Sequence, residues 1–121
     1  MRTKKVGAGK LNGEKSSEEK VLQLAENYHD KAEFVDILEK SGILANISST
    51  EENRLLAVGK ILLNHSYVDF ALIIWNNALT SFIRKKDTRG QSMCYTNLGL
   101  AYYELGDLRR AIEYHNKSLD Q

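Results

Sequence analysis

Apolar residues along this chain recur at three- and four-residue intervals, and capping and turn residues fill the places where that rhythm lapses. Val21, Leu24, Ala25 and Tyr28 share one face of a helix. The stretch from Ser16 to Glu19 reads as a capping box, a hydroxyl and a carboxylate together satisfying the first free amides of that helix. Asp30 followed by Glu33 reads as a second start, with Phe34, Val35 and Leu38 behind it and an end near Ser41-Gly42. The stripe also runs through without interruption, so a single helix from Ser17 to Lys40 stays open as the alternative.

Ser49-Thr50-Glu51-Glu52 is the next start signal, and Leu55, Val58, Gly59 and Leu62 follow it. Asn64-His65-Ser66 breaks the stripe. Val68, Ala71, Leu72, Trp75, Ala78, Leu79 and Phe82 then line one face of a helix predicted to run to about Lys86. Asp87-Thr88-Arg89-Gly90 reads as a linker. The last predicted pair is Gln91 to Leu105, carrying Tyr95, Leu98, Gly99 and Tyr102, and Leu108 onward, carrying Ala111, Ile112 and Leu119. No segment alternates as a strand would. The fold class is therefore all-α, built from antiparallel helix hairpins joined by short loops.

The pattern repeats. Shifted by forty residues, Gly59 falls under Gly99, Ala71 under Ala111, Asn76 under Asn116 and Leu79 under Leu119, with no gap. Two helices pack closely where small residues let their backbones approach, so Gly99 and Ala111 are expected to meet across the last hairpin. Gly106-Asp107 makes the turn between them, glycine for the left-handed backbone and aspartate for the cap. A hairpin of this kind buries its second face only against another, which is the logic of a stacked solenoid.

Tyr95, Leu98-Gly99, Tyr102 and Ala111 together resemble the signature of the tetratricopeptide repeat (TPR) family. The forty-residue period is similar to the longer variety found in kinesin light chains and spindle-orientation scaffolds. His115 departs from the pattern where the family has a large aromatic, and Leu62 and Ser66 depart from it in the earlier copy. Residues 1–16, basic and almost without apolar side chains, read from composition as a flexible arm. The resemblance covers roughly Glu51 to Gln121 and implies one repeat (49–86) and a second, truncated one (91–121), with residues 17–42 as degenerate or capping helices. It implies a non-enzymatic scaffold that binds a protein or peptide in a concave groove lined by the first helix of each repeat. Carried over by register, the groove positions are Asn53, Leu56, Ala57, Lys60, Leu63 and Asn64 in one copy, and Met93, Thr96, Asn97, Leu100, Tyr103 and Glu104 in the other. These are expected to lie off the core stripe. Asn97 is the sharpest candidate, as an amide able to hold an extended peptide backbone. Leu56 and Ala57 stand where a lysine and asparagine clamp for chaperone tails would need polar residues.

Composition narrows the chemistry. The chain has 121 residues, 42% of them apolar, and a net charge of +1, so neither a polyanion nor a membrane is an expected partner. The single cysteine, Cys94, fits a reducing, cytoplasmic setting. Gly7-Ala8-Gly9-Lys10 suggests a phosphate loop but lacks the hydroxyl residue after the lysine, because Leu11 follows. His29, His65, His115 and Cys94 share no metal-site spacing, and no motif activates Cys94 as a nucleophile. No cofactor and no enzymatic activity are expected. Two other readings stand behind the peptide scaffold. One is a structural subunit that assembles with its own copies through the C-terminal repeat, whose Leu108, Ile112, Leu119 and Tyr102 are expected to be uncovered. The other, ranked last, is nucleic-acid contact through the basic arm.

Overall fold

A computed structural model describes residues 15–46 and 50–120. Within them the chain is helical and contains no strand: α1 (Ser17–Asn27), α2 (Lys31–Lys40), α3 (Glu51–Asn64), α4 (Val68–Arg84), α5 (Thr88–Glu104) and α6 (Leu108–Leu119), with a short 3₁₀ turn at Ile43–Asn46. The arm assigned to residues 1–16 lies, as far as residue 14, outside the described residues, and so does Ser49.

The alternative left open at residues 17–40 resolves into two helices. Ser16 caps α1: its hydroxyl accepts from the Glu19 N–H at 3.1 Å, and the Glu19 carboxylate accepts from the Ser16 N–H at 2.9 Å. Tyr28 then turns extended, and Asp30 accepts from the Glu33 N–H at 3.0 Å to start α2. A local cap therefore prevails over a continuous apolar stripe. The 3₁₀ turn was not foreseen. It buries Leu44 against the core.

From α3 onward the chain obeys a shorter rule than the forty-residue echo. Three-residue turns end α3, α4 and α5, and the middle residue of each, Ser66, Lys86 and Gly106, has positive φ (71°, 58° and 81°). These residues stand twenty apart. In each turn the following residue's N–H reaches back five positions: Tyr67 to Leu62 at 2.8 Å, Asp87 to Phe82 at 2.9 Å, Asp107 to Tyr102 at 2.9 Å. A second bond joins Ser66 to Leu63, Lys86 to Ile83 and Gly106 to Tyr103, each at 3.0 Å. This pair of bonds is the Schellman motif, which satisfies the last carbonyls of a helix. Helices α4 and α5 both have seventeen residues. A seventeen-residue helix and a three-residue turn make the twenty-residue unit, and two such units make the echo.

That geometry corrects the expected linker. Asp87 alone precedes α5, its carboxylate accepting from the Gly90 N–H at 2.9 Å, while Thr88, Arg89 and Gly90 lie inside the helix. The helix starts three residues before the predicted Gln91 because an aspartate cap outweighs the turn tendency of the glycine. Helix α4 in turn stops at Arg84, short of Lys86, where the left-handed residue closes its end.

The core runs through Val21, Phe34, Leu38, Val58, Leu62, Ile74, Trp75, Cys94 and Leu98, all fully buried. Helix α4 packs on both α3 and α5, and α6 packs on α5. At α4–α5, Gly90 leaves the space that the Phe82 ring fills. At α5–α6, a Cβ on Gly99 would stand 3.2 Å from the Ala111 carbonyl oxygen, so these two backbones do approach. Phe34 of α2 stacks on Phe70 of α4 with ring centres 4.7 Å apart, tying the N-terminal pair to the rest. Glu52, buried in the first turn of α3, pairs with Lys85 at the end of α4. No residue of α6 is fully buried.

Candidate functional site

A cleft of about 590 Å³ opens between α3 and α5. Asn53, Leu56, Ala57 and Lys60 line one wall, and Ser92, Met93, Thr96 and Asn97 line the other. In a helix, residues three and four apart share a face, which is why each wall is drawn from two turns of one helix. Helix α4 supports both walls from behind.

Seven of the twelve groove positions read from the sequence meet here: Asn53, Leu56, Ala57, Lys60, Met93, Thr96 and Asn97. Leu63, Asn64, Leu100, Tyr103 and Glu104 do not line the cleft. Leu63 is half-buried against the core, whereas Leu100 and Tyr103 are exposed along α5 beyond it. The expectation that groove residues lie off the core also fails for Leu56, which is only 8% exposed. Its carbonyl accepts a hydrogen bond of 3.2 Å from the Trp75 indole, so the backbone under the cleft is held from below.

Thr96 is committed elsewhere too. Its hydroxyl lies 2.7 Å from that of Ser118 on α6, and the Ser92 hydroxyl donates to the Ser118 carbonyl at 3.0 Å. Ser92 and Thr96 therefore brace α5 against α6 while their outer edges form the wall. Ser92 was missed by the sequence reading, although it sits one helical turn before Thr96 and its position on that face was available.

The groups left to meet a ligand are few. Among the described residues, Lys60 is the sole charged side chain lining the cleft, and no carboxylate lines it. The side-chain amides of Asn53 and Asn97 are not engaged with other described residues, whereas Leu56, Ala57 and Met93 offer apolar surface between them. This arrangement can donate and accept hydrogen bonds along an extended backbone and bury one apolar side chain. Among the described residues that line it there is no acid–base pair.

A second cavity of about 550 Å³ lies at one end of the bundle, bounded by residues that include His29, Lys31, Tyr67, Asp69, Phe70 and Leu105. Its polar and aromatic groups serve each other. Lys31 stands 4.0 Å from the Asp69 carboxylate and 5.8 Å from the Phe70 ring centre, and Tyr67 stacks on Phe70. It reads as the junction between α2 and α4.

Cys94 is fully buried, and burial pushes its thiol up to about 12, far from the thiolate that nucleophilic chemistry uses. Among the described residues, no three His, Cys, Asp or Glu side chains gather closely enough to hold a metal ion. Among them, no helix is long and apolar enough to cross a membrane. Tyr114 stacks on Tyr102 at 5.5 Å and meets Tyr95 at 6.2 Å, while His115 is exposed. Tyr102 is thereby half-buried, not part of an open face. Comparison with protein-family models, with curated proteins and with solved structures finds no match to this chain.

Proposed function

We propose that this chain is a TPR-like α-solenoid segment that acts as a protein-interaction scaffold, binding an extended peptide or a helix in the cleft between α3 and α5. The observation that carries the reading is the meeting of Asn53, Lys60, Met93 and Asn97 around one cleft, at positions separated by a whole helix in sequence. Alternate helices contributing equivalent faces is what a stacked hairpin array produces. The stacking itself is supported by the twenty-residue recurrence of the same turn at Ser66, Lys86 and Gly106. We also propose a cytoplasmic location, on the ground that Cys94 is a buried free thiol.

The cleft favours a ligand without positive charge at the point facing Lys60, with one apolar side chain against Leu56 and Met93. Selecting binders from a displayed random-peptide library against the whole chain tests this. Lys60→Glu and Asn97→Ala should each weaken the selected peptides by roughly tenfold, the scale of one or two hydrogen bonds or a reversed charge. Lys40→Ala, at an exposed position that does not line the cleft, should leave them unchanged. Binders that survive both cleft substitutions at full affinity would move the interaction to another surface.

A further inference from the structure

Helix α6 carries an apolar stripe that the described residues leave open. Leu108, Ile112 and Leu119 are 57%, 60% and 70% exposed. Forty residues earlier Val68, Leu72 and Leu79 occupy the same places on α4, and there all three are half-buried against the core. The same stripe is thus covered in one unit and bare in the next, which sets it apart from scattered exposed leucines.

The charges on α6 indicate what can cover it. Arg109 lies in the first turn, where the helix end is already positive, and Asp120 follows the last turn, where it is already negative. Neither residue is in an ion pair with another described residue, whereas Arg110 is held near Asp107. A helix laid antiparallel on α6 and carrying the same charges would set an arginine against each Asp120 and an aspartate against each Arg109. It would also set opposite helix ends side by side.

We propose that the Leu108–Ile112–Leu119 stripe of α6 is the contact surface for a second copy of this chain, docked antiparallel about a two-fold axis. Such an interface is isologous: the same patch serves on both copies, with Arg109 of each reaching Asp120 of the other. A pair of twelve-residue helices buries less than the ~1,200 Å² at the lower edge of standard interfaces, so association is weak and concentration-dependent. The surface lies apart from the cleft, and this inference does not depend on peptide binding there.

Sedimentation velocity of the full chain, from about 5 μM to about 500 μM, spans the dissociation constants expected for so small a contact. The expected result is a monomer at the dilute end that doubles in mass towards the concentrated end. Ile112→Glu should raise the midpoint concentration at least tenfold. Asp120→Arg alone should also raise it, and adding Arg109→Asp to the same chain should restore it, a response that unfolding or loss of apolar area cannot produce. A monomer throughout the series would overturn the proposal, and so would association indifferent to Ile112→Glu. Loss with Asp120→Arg that the second substitution does not restore would overturn the antiparallel two-fold arrangement, as would growth beyond a dimer.

Discussion

Gly59 lies against the indole of Trp75 so closely that a single carbon added to the glycine would overlap the ring. The ring is fully buried, and its N–H donates to the Leu56 carbonyl one turn before the glycine. Glycine in a helix costs about 1 kcal/mol relative to alanine, so its presence here needs a compensating contact, and the indole provides it. Through Leu56 the same contact also sets the floor of the cleft.

Two substitutions at glycines should therefore behave differently. Gly59→Ala places its new carbon inside a rigid, enclosed ring, and should destabilise by about 1–3 kcal/mol or more. Gly99→Ala meets the Ala111 carbonyl at 3.2 Å, a gap that needs only a slight shift, so the ~1 kcal/mol gain in helix propensity should largely offset it. Trp75→Ala should cost about 3–5 kcal/mol by leaving a cavity. Urea midpoints for the three variants decide the ranking. A Gly59→Ala protein as stable as Gly99→Ala would mean that the indole does not sit on α3.

The recurring turns make a second prediction. Ser66 and Lys86 hold left-handed backbone that L-residues adopt at a cost of roughly 1–2 kcal/mol, and Gly106 holds it without that cost. Ser66→Gly and Lys86→Gly should each raise stability by about 1 kcal/mol, while Gly106→Ala should lower it by a similar amount. Thermal melts of the single variants suffice. Opposite signs at residues 86 and 106 are the result to look for, and equal signs would refute the shared turn geometry.

Acid should weaken the fold partly through Glu52. The Lys85 ammonium that bonds its carboxylate holds it below its ordinary value of 4.5, against the opposing effect of burial. Because the folded value is the lower one, the pair stabilises the fold above that ordinary value, and its contribution is lost as pH falls through the folded value. The stability difference between the natural chain and Glu52→Gln should accordingly be present at neutral pH and shrink as the pH falls below 4.5. A difference that stays constant over that range would remove Glu52 from the account of acid sensitivity.

Cys94 provides a probe of opening. With its thiol pushed up to about 12, only roughly one molecule in 10⁵ carries the thiolate at neutral pH, and the group is also enclosed. Alkylation by iodoacetamide should be slow in the folded chain and rise to the rate of a free cysteine in denaturant. Rapid labelling under native conditions would show that α5 leaves its neighbours readily.

What this sequence determined by itself is what can be read within one turn of helix. Ser16 with Glu19, Asp30 with Glu33, and the apolar stripes on α3 to α6 act between residues three or four apart, so spacing alone reveals them. Gly106 announces its turn because glycine is the residue that takes left-handed backbone freely. The forty-residue echo likewise survived as residue identity, and the positions carried over by resemblance include seven of the eight residues that line the cleft. Tertiary structure decided the rest. Ser66 and Lys86 make the same turn without any glycine, held there because the helices on either side must fold back and pack. Leu56 became floor instead of open wall because Trp75 reaches under it from α4. Thr96 turned towards Ser118, and Tyr114 rather than His115 packed on Tyr102 and Tyr95, because the angle at which α6 meets α5 chooses which side chains touch. That angle is a property of two helices together, set by how their ridges and small residues fit, and no spacing along either one contains it.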